Sequence, residues 1–210
     1  MRRVVTAALA ALTAVLLTST LTTGTAWAVP PGIPSPSTAA ARLDTLTVES
    51  ESHQDTYSRT LFPHWITISG TCNTRETVLK RDGSGVVVNS SCAAVSGSWY
   101  SPYDGATWTA ASDIDIDHMV PLAEAWRSGA WAWTTAQRQA FANDLDGPQL
   151  WAVTDNVNQQ KSDQDPSTWQ PSLPGFRCTY ASAWIQVKWA YDLTLQSSEK
   201  AALQDMLSSC

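Results

Sequence analysis

A short stretch near the middle of the chain alternates between apolar and acidic residues. Ile114 and Ile116 are separated and flanked by aspartates within residues 113–120. A period of two residues is typical of a β-strand with one buried and one polar face. We therefore predict a strand here, with Asp113 and Asp115 on its solvent face.

Helical signals follow on the C-terminal side of this strand. Thr134 and Gln137 form a capping-box pattern that predicts a helix through about Leu145. Periodic apolar residues predict a second helix over about 181–193, and a third from about Ser198. The apolar stripe of this last helix consists of Leu203, Met206, Leu207 and Cys210.

Residues 71–92 are compatible with two structures. Asn73 is followed three residues later by a glutamate, a capping pattern that predicts a short helix over about 74–81. The alternative is a hairpin that turns at the Asp-Gly-Ser-Gly tetrapeptide 82–85. We favour the helix, followed by a strand at Val86–Val88.

Three segments differ in composition and define the expected domain organisation. Residues 1–28 combine an N-terminal basic pair, an apolar stretch and an Ala-Trp-Ala cleavage site, which predicts a secretory signal peptide. Residues 29–41 are rich in proline and are expected to form a linker. Residues 42–210 are expected to form a single α+β domain with a small antiparallel sheet.

Four cysteines in a chain with an export signal predict two disulfides. Of the three connectivities, we favour Cys72–Cys92 and Cys178–Cys210, because each pair brackets a compact local unit. Neither pair has the C-x-x-C spacing of a zinc knuckle.

Composition and charge narrow the functional classes. A hydrophobic share of 43% in 210 residues excludes a disordered chain, and the only long apolar run is N-terminal, which excludes a membrane bundle. The formal charge is -6, and removal of the two signal-peptide arginines would make it -8. Such acidity argues mildly against a DNA-coating protein, although a bound cation can supply the charge needed to hold phosphate.

The chemically informative residues lie in two segments about forty positions apart. The first contains Asp117 and His118 with Pro121, and the second contains Asn158-x-x-Lys161. A neutral imidazole is a suitable general base, and carboxylate and amide oxygens suit a hard cation such as Mg²⁺. Together these groups could activate water for phosphodiester hydrolysis.

These two segments resemble the HNH, or ββα-metal, endonuclease superfamily, and the similarity is greatest to secreted bacterial HNH nucleases related to the GmrSD C-terminal nuclease domain. The resemblance covers roughly residues 57–210 and implies a ββα-metal core at about 112–165. It includes further segments: Cys72-Asn-Thr-Arg75, Ser101-Pro-Tyr103-Asp-Gly105, Leu122-Ala-Glu124-Ala-Trp126, Phe141-Ala-Asn143-Asp-Leu145, Trp169-Gln-Pro171 and Asp163 after the second motif.

The resemblance implies a secreted, metal-dependent endonuclease that cuts DNA, or RNA as the alternative, with little sequence preference. It implies one divalent ion, with Mg²⁺ favoured and Mn²⁺, Ca²⁺ and Zn²⁺ left open, bound by Asp117 and Asn158. His118 would be the general base. We expect a monomer that is not bound to a membrane once the signal peptide is cleaved.

Other roles remain open at this level. The orienting residue of the family motif corresponds to Gln149 or to Asn143. Lys161 could contact a substrate phosphate or pair with Asp163, and Arg75 is a second phosphate candidate or a structural salt bridge. The competing function is a non-catalytic, tryptophan-rich protein that binds carbohydrate or the cell wall, since 11 tryptophans could stack on sugars.

Overall fold

The computed structural model describes residues 29–210, so the predicted signal peptide lies outside the described residues. Helices α1 to α7 span Pro36–Thr45, Thr74–Asp82, Leu122–Arg127, Thr135–Ala142, Asp155–Lys161, Arg177–Ala190 and Ser197–Ser208. Strands β1 to β7 span Thr67–Ser69, Cys72–Asn73, Gly83–Val88, Ala94–Tyr100, Thr107–Trp108, Ile114–His118 and Leu150–Thr154.

The strands form three small antiparallel sheets in the described part of the chain. Their orders are β1-β2, β3-β4-β5 and β6-β7. The predicted α+β class with a small antiparallel sheet is therefore confirmed. Both predicted disulfides, Cys72–Cys92 and Cys178–Cys210, are present.

The ribbon β6-β7 and the helix α5 form the ββα unit expected for residues 112–165. Asp117 pairs with Trp151 and His118 with Leu150 across the ribbon. Helix α5 begins directly after β7 and packs against both strands. The strand predicted from alternation is confirmed, because Ile114 and Ile116 are buried against α2 and β4. The acidic side chains on the opposite face of β6 lie against α5 rather than in open solvent.

The helix predicted in the ambiguous segment is confirmed. The Asn73 side chain accepts a hydrogen bond from the backbone NH of Glu76 and caps α2, which spans Thr74–Asp82. The strand that follows begins at Gly83, three residues before the predicted start, and pairs with β4 as a hairpin. The alternative hairpin turning at residues 82–85 is therefore wrong, because these residues end α2 and begin β3, and the observed hairpin turns between β3 and β4.

The C-terminal helices build the larger core. Trp184 and Tyr180 of α6 are fully buried among residues of α1, α3 and α7. Helix α6 begins four residues before the predicted start and ends at Ala190, two residues before Asp192, which takes a left-handed φ of 50°. The last helix begins at Ser197, which agrees with its prediction.

The proline-rich segment differs from its expected form. Helix α1 begins at Pro36, inside the segment 29–41 predicted as a linker, and Ser35 caps it. Ala39 and Leu43 are buried, and α1 packs against α6. From Pro36 onward the segment is therefore helical and part of the folded body, because its alanines and leucine supply a buried face that the prolines conceal in the composition.

Candidate active site

A cavity of about 680 Å³ opens where four parts of the chain meet. Its walls are the end of β6, the start of α3, the C-terminal half of α5 and the segment Gln54–Arg59. Asp117, His118 and Asn158 all line it. The two distant motifs of the sequence therefore converge on one cavity.

Asp117 sits at the base of the cavity and is held by two donors. Tyr103 donates from its hydroxyl to Oδ2 at 2.5 Å, and Lys161 Nζ lies 2.9 Å from Oδ2 and 3.1 Å from Oδ1. Burial raises the pKa of the Asp117 carboxyl, while Lys161 and Tyr103 act in the opposite direction. The carboxylate is thus fixed in position by its neighbours.

His118 is held with one nitrogen bonded and the other free. Nε2 lies 2.9 Å from the carbonyl oxygen of Ala142, and the ring stacks on Trp65 at a centroid distance of 5.5 Å. A carbonyl can only accept, so Nε2 carries the proton. Burial lowers the pKa of His118 to about 3. The imidazole is therefore neutral at pH 7, with Nδ1 as its available acceptor.

Asn158 lies on the first full turn of α5 and is half-buried. Its Nδ2 donates to Asp115 Oδ2 at 3.1 Å. The contact turns the amide so that, within residues 29–210, its Oδ1 accepts no hydrogen bond from another side chain. Asn158 lines the same cavity as Asp117, and its amide oxygen has no side-chain donor among the described residues.

The donor set fits a single hard cation. Asp117 retains acceptor capacity at Oδ1, and Asn158 offers an amide oxygen, while the open cavity leaves room for water and for substrate oxygens. Mg²⁺ is commonly held by one or two carboxylates plus such ligands. Across the described chain, no group of three or more His, Cys, Asp or Glu side chains has a metal-binding arrangement. The candidate site is thus built from one carboxylate and one amide.

Lys161 does not occupy the position expected for a phosphate contact. Its side chain is fully buried and does not line the cavity. Besides Asp117, its Nζ donates to the carbonyl oxygen of His118 at 3.0 Å. Asp163, its other expected partner, binds Arg127 instead at 2.6 Å. Lys161 therefore supports the Asp117 carboxylate and the His118 backbone from inside the protein.

The two candidates for the orienting residue support the site from outside the cavity. Gln149 is fully buried and brackets the backbone of Val120, accepting from its NH at 3.1 Å and donating to its carbonyl at 2.9 Å. This pair fixes the turn that follows His118. Neither it nor Asn143 touches the imidazole, whose partner is the Ala142 carbonyl.

Asn143 secures the loop that carries Trp65. Its Nδ2 donates to the carbonyl of Pro63 at 2.8 Å, and its Oδ1 accepts from the NH of Ile66 and the hydroxyl of Thr74. Asn143 caps α4, which therefore ends three residues before the predicted Leu145. Its Nδ2 also donates to the Gln139 carbonyl at 2.8 Å, and the residue before Asn143, Ala142, is the one whose carbonyl binds His118.

Arg75 is structural in this arrangement. Its guanidinium donates to the carbonyls of Ala111 and Ile114 and lies 3.2 Å from Glu76. These contacts tie α2 to the start of β6, and Arg75 does not line the cavity. The position does not support the expected phosphate contact.

No sequence motif identified several residues of the site. Tyr103 lies in one of the segments that carry the family resemblance, but only the fold shows that it binds Asp117. Trp65 and Arg59 belong to segments without a recognisable motif. The Ala142 carbonyl is a backbone group, which side-chain patterns cannot identify.

Comparison with known proteins places the chain in a family. Residues 79–206 match the family described as GmrSD restriction endonucleases, C-terminal domain. A protein of Arthroderma benhamiae, named an uncharacterized secreted protein, is 66% identical over 181 residues, covering 86% of this chain and 89% of the relative. No solved structure matches the chain. In the described residues, no helix is long and apolar enough to cross a membrane.

The family match spans more than half of the chain and includes Asp117, His118 and Asn158, the three residues of the sequence motifs that line the cavity. The protein belongs to the family of GmrSD restriction endonuclease C-terminal domains, which indicates a nuclease-like function.

Proposed function

We propose that the protein is a secreted, metal-dependent endonuclease that hydrolyses phosphodiester bonds in DNA, with RNA as the alternative substrate. The observation that carries this proposal is the arrangement of His118. Its ring is fixed by the Ala142 carbonyl with Nδ1 free, in a cavity that it shares with Asp117 and Asn158. Secretion is supported by the name of the A. benhamiae relative and by the two disulfides.

His118 is proposed as the general base. Its neutral imidazole accepts a proton from water through Nδ1, while the Ala142 carbonyl holds the ring and accepts from Nε2. Burial keeps the free protein's pKa near 3, which ensures the unprotonated form at neutral pH but limits basicity. A bound anionic phosphate would raise this pKa toward the operating pH, because a nearby negative charge favours the imidazolium.

Asp117 and Asn158 are proposed to hold one divalent cation, for which Mg²⁺ is the first candidate. Such a cation supplies Lewis-acid stabilisation of charge on the phosphate oxygens. Lys161 and Tyr103 hold the Asp117 carboxylate at a defined position, which orients its free lone pair toward the cavity. These two residues act as positioning residues, in place of the phosphate contact first expected of Lys161.

Little sequence preference is expected from this site. The proposed catalytic groups act on the phosphodiester and on the attacking water. Phosphate contacts carry no information about base identity. In-line attack by the activated water would leave 5′-phosphate and 3′-hydroxyl ends, as the family resemblance implies.

The competing function as a tryptophan-rich glycan-binding protein has weaker support. Within residues 29–210, the exposed tryptophans are Trp131 and Trp189. Trp131 is stacked on His53, and the guanidinium of Arg42 lies 4.2 Å from the Trp189 ring centroid. Each indole has one face covered by a neighbouring side chain, which leaves less of it for stacking on sugars.

Plasmid nicking with and without Mg²⁺ tests the proposal. His118→Ala should lower the cleavage rate by at least about 10²-fold, since general-base catalysis contributes about 10²–10⁴. EDTA should abolish cleavage. The matched control is His53→Asn, because His53 lies outside the cavity and Asn tolerates its left-handed φ of 63°. Wild-type cleavage by His118→Ala would refute the assignment.

A further inference from the structure

The cavity lining includes an arginine that no sequence motif singled out. Arg59 begins a short 3-10 helix, Arg59–Leu61, and its side chain is exposed at the cavity. Tyr57 and Gln54 of the same segment also line the cavity. The segment therefore shares one cavity with the end of β6, where His118 lies.

Arg59 differs from the other charged residues of the cavity in having no carboxylate partner. Arg127 is bound by Glu51 and Glu124 as well as by Asp163, so its charge is already neutralised. Asp117 is paired with Lys161. In the described part of the chain, no carboxylate lies at ion-pair distance from Arg59.

Arg59 lines the same cavity as Asp117 and His118. The whole chain carries a formal charge of -6, which repels a polyanionic substrate. A cation at the cavity without a carboxylate partner among the described residues is therefore the group with which an incoming phosphate can interact at low cost.

The segment that carries Arg59 is held in place by backbone contacts. The Phe62 NH donates to the Arg59 carbonyl at 3.1 Å, and Arg138 Nε donates to the Leu61 carbonyl at 2.8 Å. On its other side, Trp126 Nε1 donates to the His53 carbonyl at 3.0 Å. The guanidinium thus projects from a fixed backbone rather than from a free loop.

We propose that Arg59 binds a phosphate of the nucleic-acid backbone across the cavity from Asp117 and Asn158. Its planar guanidinium can donate two parallel hydrogen bonds to one phosphate group. It would take the role first expected of Arg75 and Lys161, both of which face inward to protein partners. This inference rests on the proposed nuclease function.

Binding is measured by the fluorescence anisotropy of a labelled DNA oligonucleotide in Mg²⁺, with His118→Ala present in every protein so that the DNA stays intact. Arg59→Ala should raise Kd about tenfold or more, as expected for a hydrogen bond to a charged group. The slope of log Kd against log salt should fall by about one. Arg59→Lys should restore part of the affinity, because a lysine keeps the charge without the planar fork.

Lys80→Ala is the matched control, because it removes one exposed positive charge on α2, outside the cavity. Its Kd should stay close to that of the parent. Equal Kd shifts for Lys80→Ala and Arg59→Ala would overturn the proposal, since Arg59 would then act only through net charge. A parent protein that binds no oligonucleotide would overturn it as well.

Cleavage assays in the otherwise wild-type chain separate this inference from the proposed function. Binding that depends on Arg59 in a protein whose nicking does not depend on His118 would refute the nuclease assignment and retain Arg59 as a phosphate ligand. Cleavage that depends on His118 but not on Arg59, with unchanged KM and salt slope in Arg59→Ala, would refute Arg59 alone.

Discussion

Two fully buried lysines lie in contrasting regions of this protein. Lys161 lies behind the cavity and has one carboxylate partner, Asp117, which also lines the open site. Lys188 lies in the helical core between two carboxylates, Glu124 at 2.7 Å and Glu199 at 3.2 Å. Asp117 lines the cavity and can contact solvent or a ligand. Lys188, Glu124 and Glu199, which we call the closed cluster, are all buried and do not line it.

The surroundings of the two lysines give their pKa values opposite directions. Burial lowers the pKa of Lys161, and one carboxylate does not fully compensate. The pKa of Lys188 is raised, because two carboxylates outweigh the same burial. Removing one partner from a fully buried cluster leaves an uncompensated charge inside the core, whereas a carboxylate that lines a cavity can also bind a ligand.

Removal of the lysine from the closed cluster should have the largest effect. Lys188→Met leaves Glu124 and Glu199 without their shared counter-charge and should lower the free energy of unfolding by about 3–5 kcal/mol. Urea titration measures the loss. Lys200→Met, in the same last helix as Glu199, is the control and should stay near wild type; equal loss in both variants would contradict the role of the cluster.

The equivalent change behind the cavity should act mainly on activity. Lys161→Met frees the Asp117 carboxylate and the His118 carbonyl from their common donor. We expect cleavage per folded molecule to fall about 10–100-fold, the usual effect of losing a group that orients a metal ligand. Nicking kinetics across a Mg²⁺ titration should show a higher half-saturating Mg²⁺ concentration. An unchanged Mg²⁺ dependence would show that Lys161 has only a structural role.

Glu199 of the closed cluster should oppose the pH dependence of stability that His118 contributes. Burial raises the pKa of Glu199 to about 7, although Lys188 and Trp184 act in the opposite direction. Between about pH 4.5 and 7, the folded state therefore holds a proton on Glu199 that the unfolded chain has lost, and the Glu199 contribution to stability falls by roughly 3 kcal/mol as pH rises through this window. The lowered pKa of His118 has the opposite sign, because its contribution to stability rises between about pH 3 and 6.5.

Glu199→Gln should remove the Glu199 contribution, so stability should rise more steeply with pH in the variant than in the wild type between about pH 4.5 and 7. Thermal unfolding at a series of pH values measures the two slopes. Glu49→Gln is the matched control, because Glu49 is exposed and should leave the wild-type slope unchanged. The pKa of Glu124 is shifted downward, so its titration falls below the window and does not obscure the result. Equal slopes in the wild type and Glu199→Gln would contradict the role of Glu199.

Local patterns were sufficient for the elements that build the site. Alternation around Ile114 identified β6, and the cap at Asn73 identified α2, because both signals depend on neighbours within a few residues. The spacing of the two cysteine pairs was also sufficient for the disulfides. The assignment of residues 36–41 to the linker was wrong, because α1 begins at Pro36 and the proline content outweighed a short buried face.

The roles of the cations depended on the tertiary structure. Arg75 and Lys161 have the residue type of phosphate ligands, but α2 and α5 turn them toward backbone carbonyls and a carboxylate. Arg59 has no motif around it and nevertheless lies exposed at the cavity. All the residues packed around a basic side chain together decide whether it has a carboxylate partner.

The chain by itself determined a strand carrying Asp117 and His118 and favoured the two cystines, because periodicity and spacing depend on residues close in sequence. The later helix carrying Asn158 was implied by the family resemblance. Only the tertiary structure decided that the Ala142 carbonyl holds the imidazole, that Lys161 lies behind the site, and that Arg59 faces it. Burial and partner choice are set by contacts between residues distant in sequence, so no local pattern encodes them.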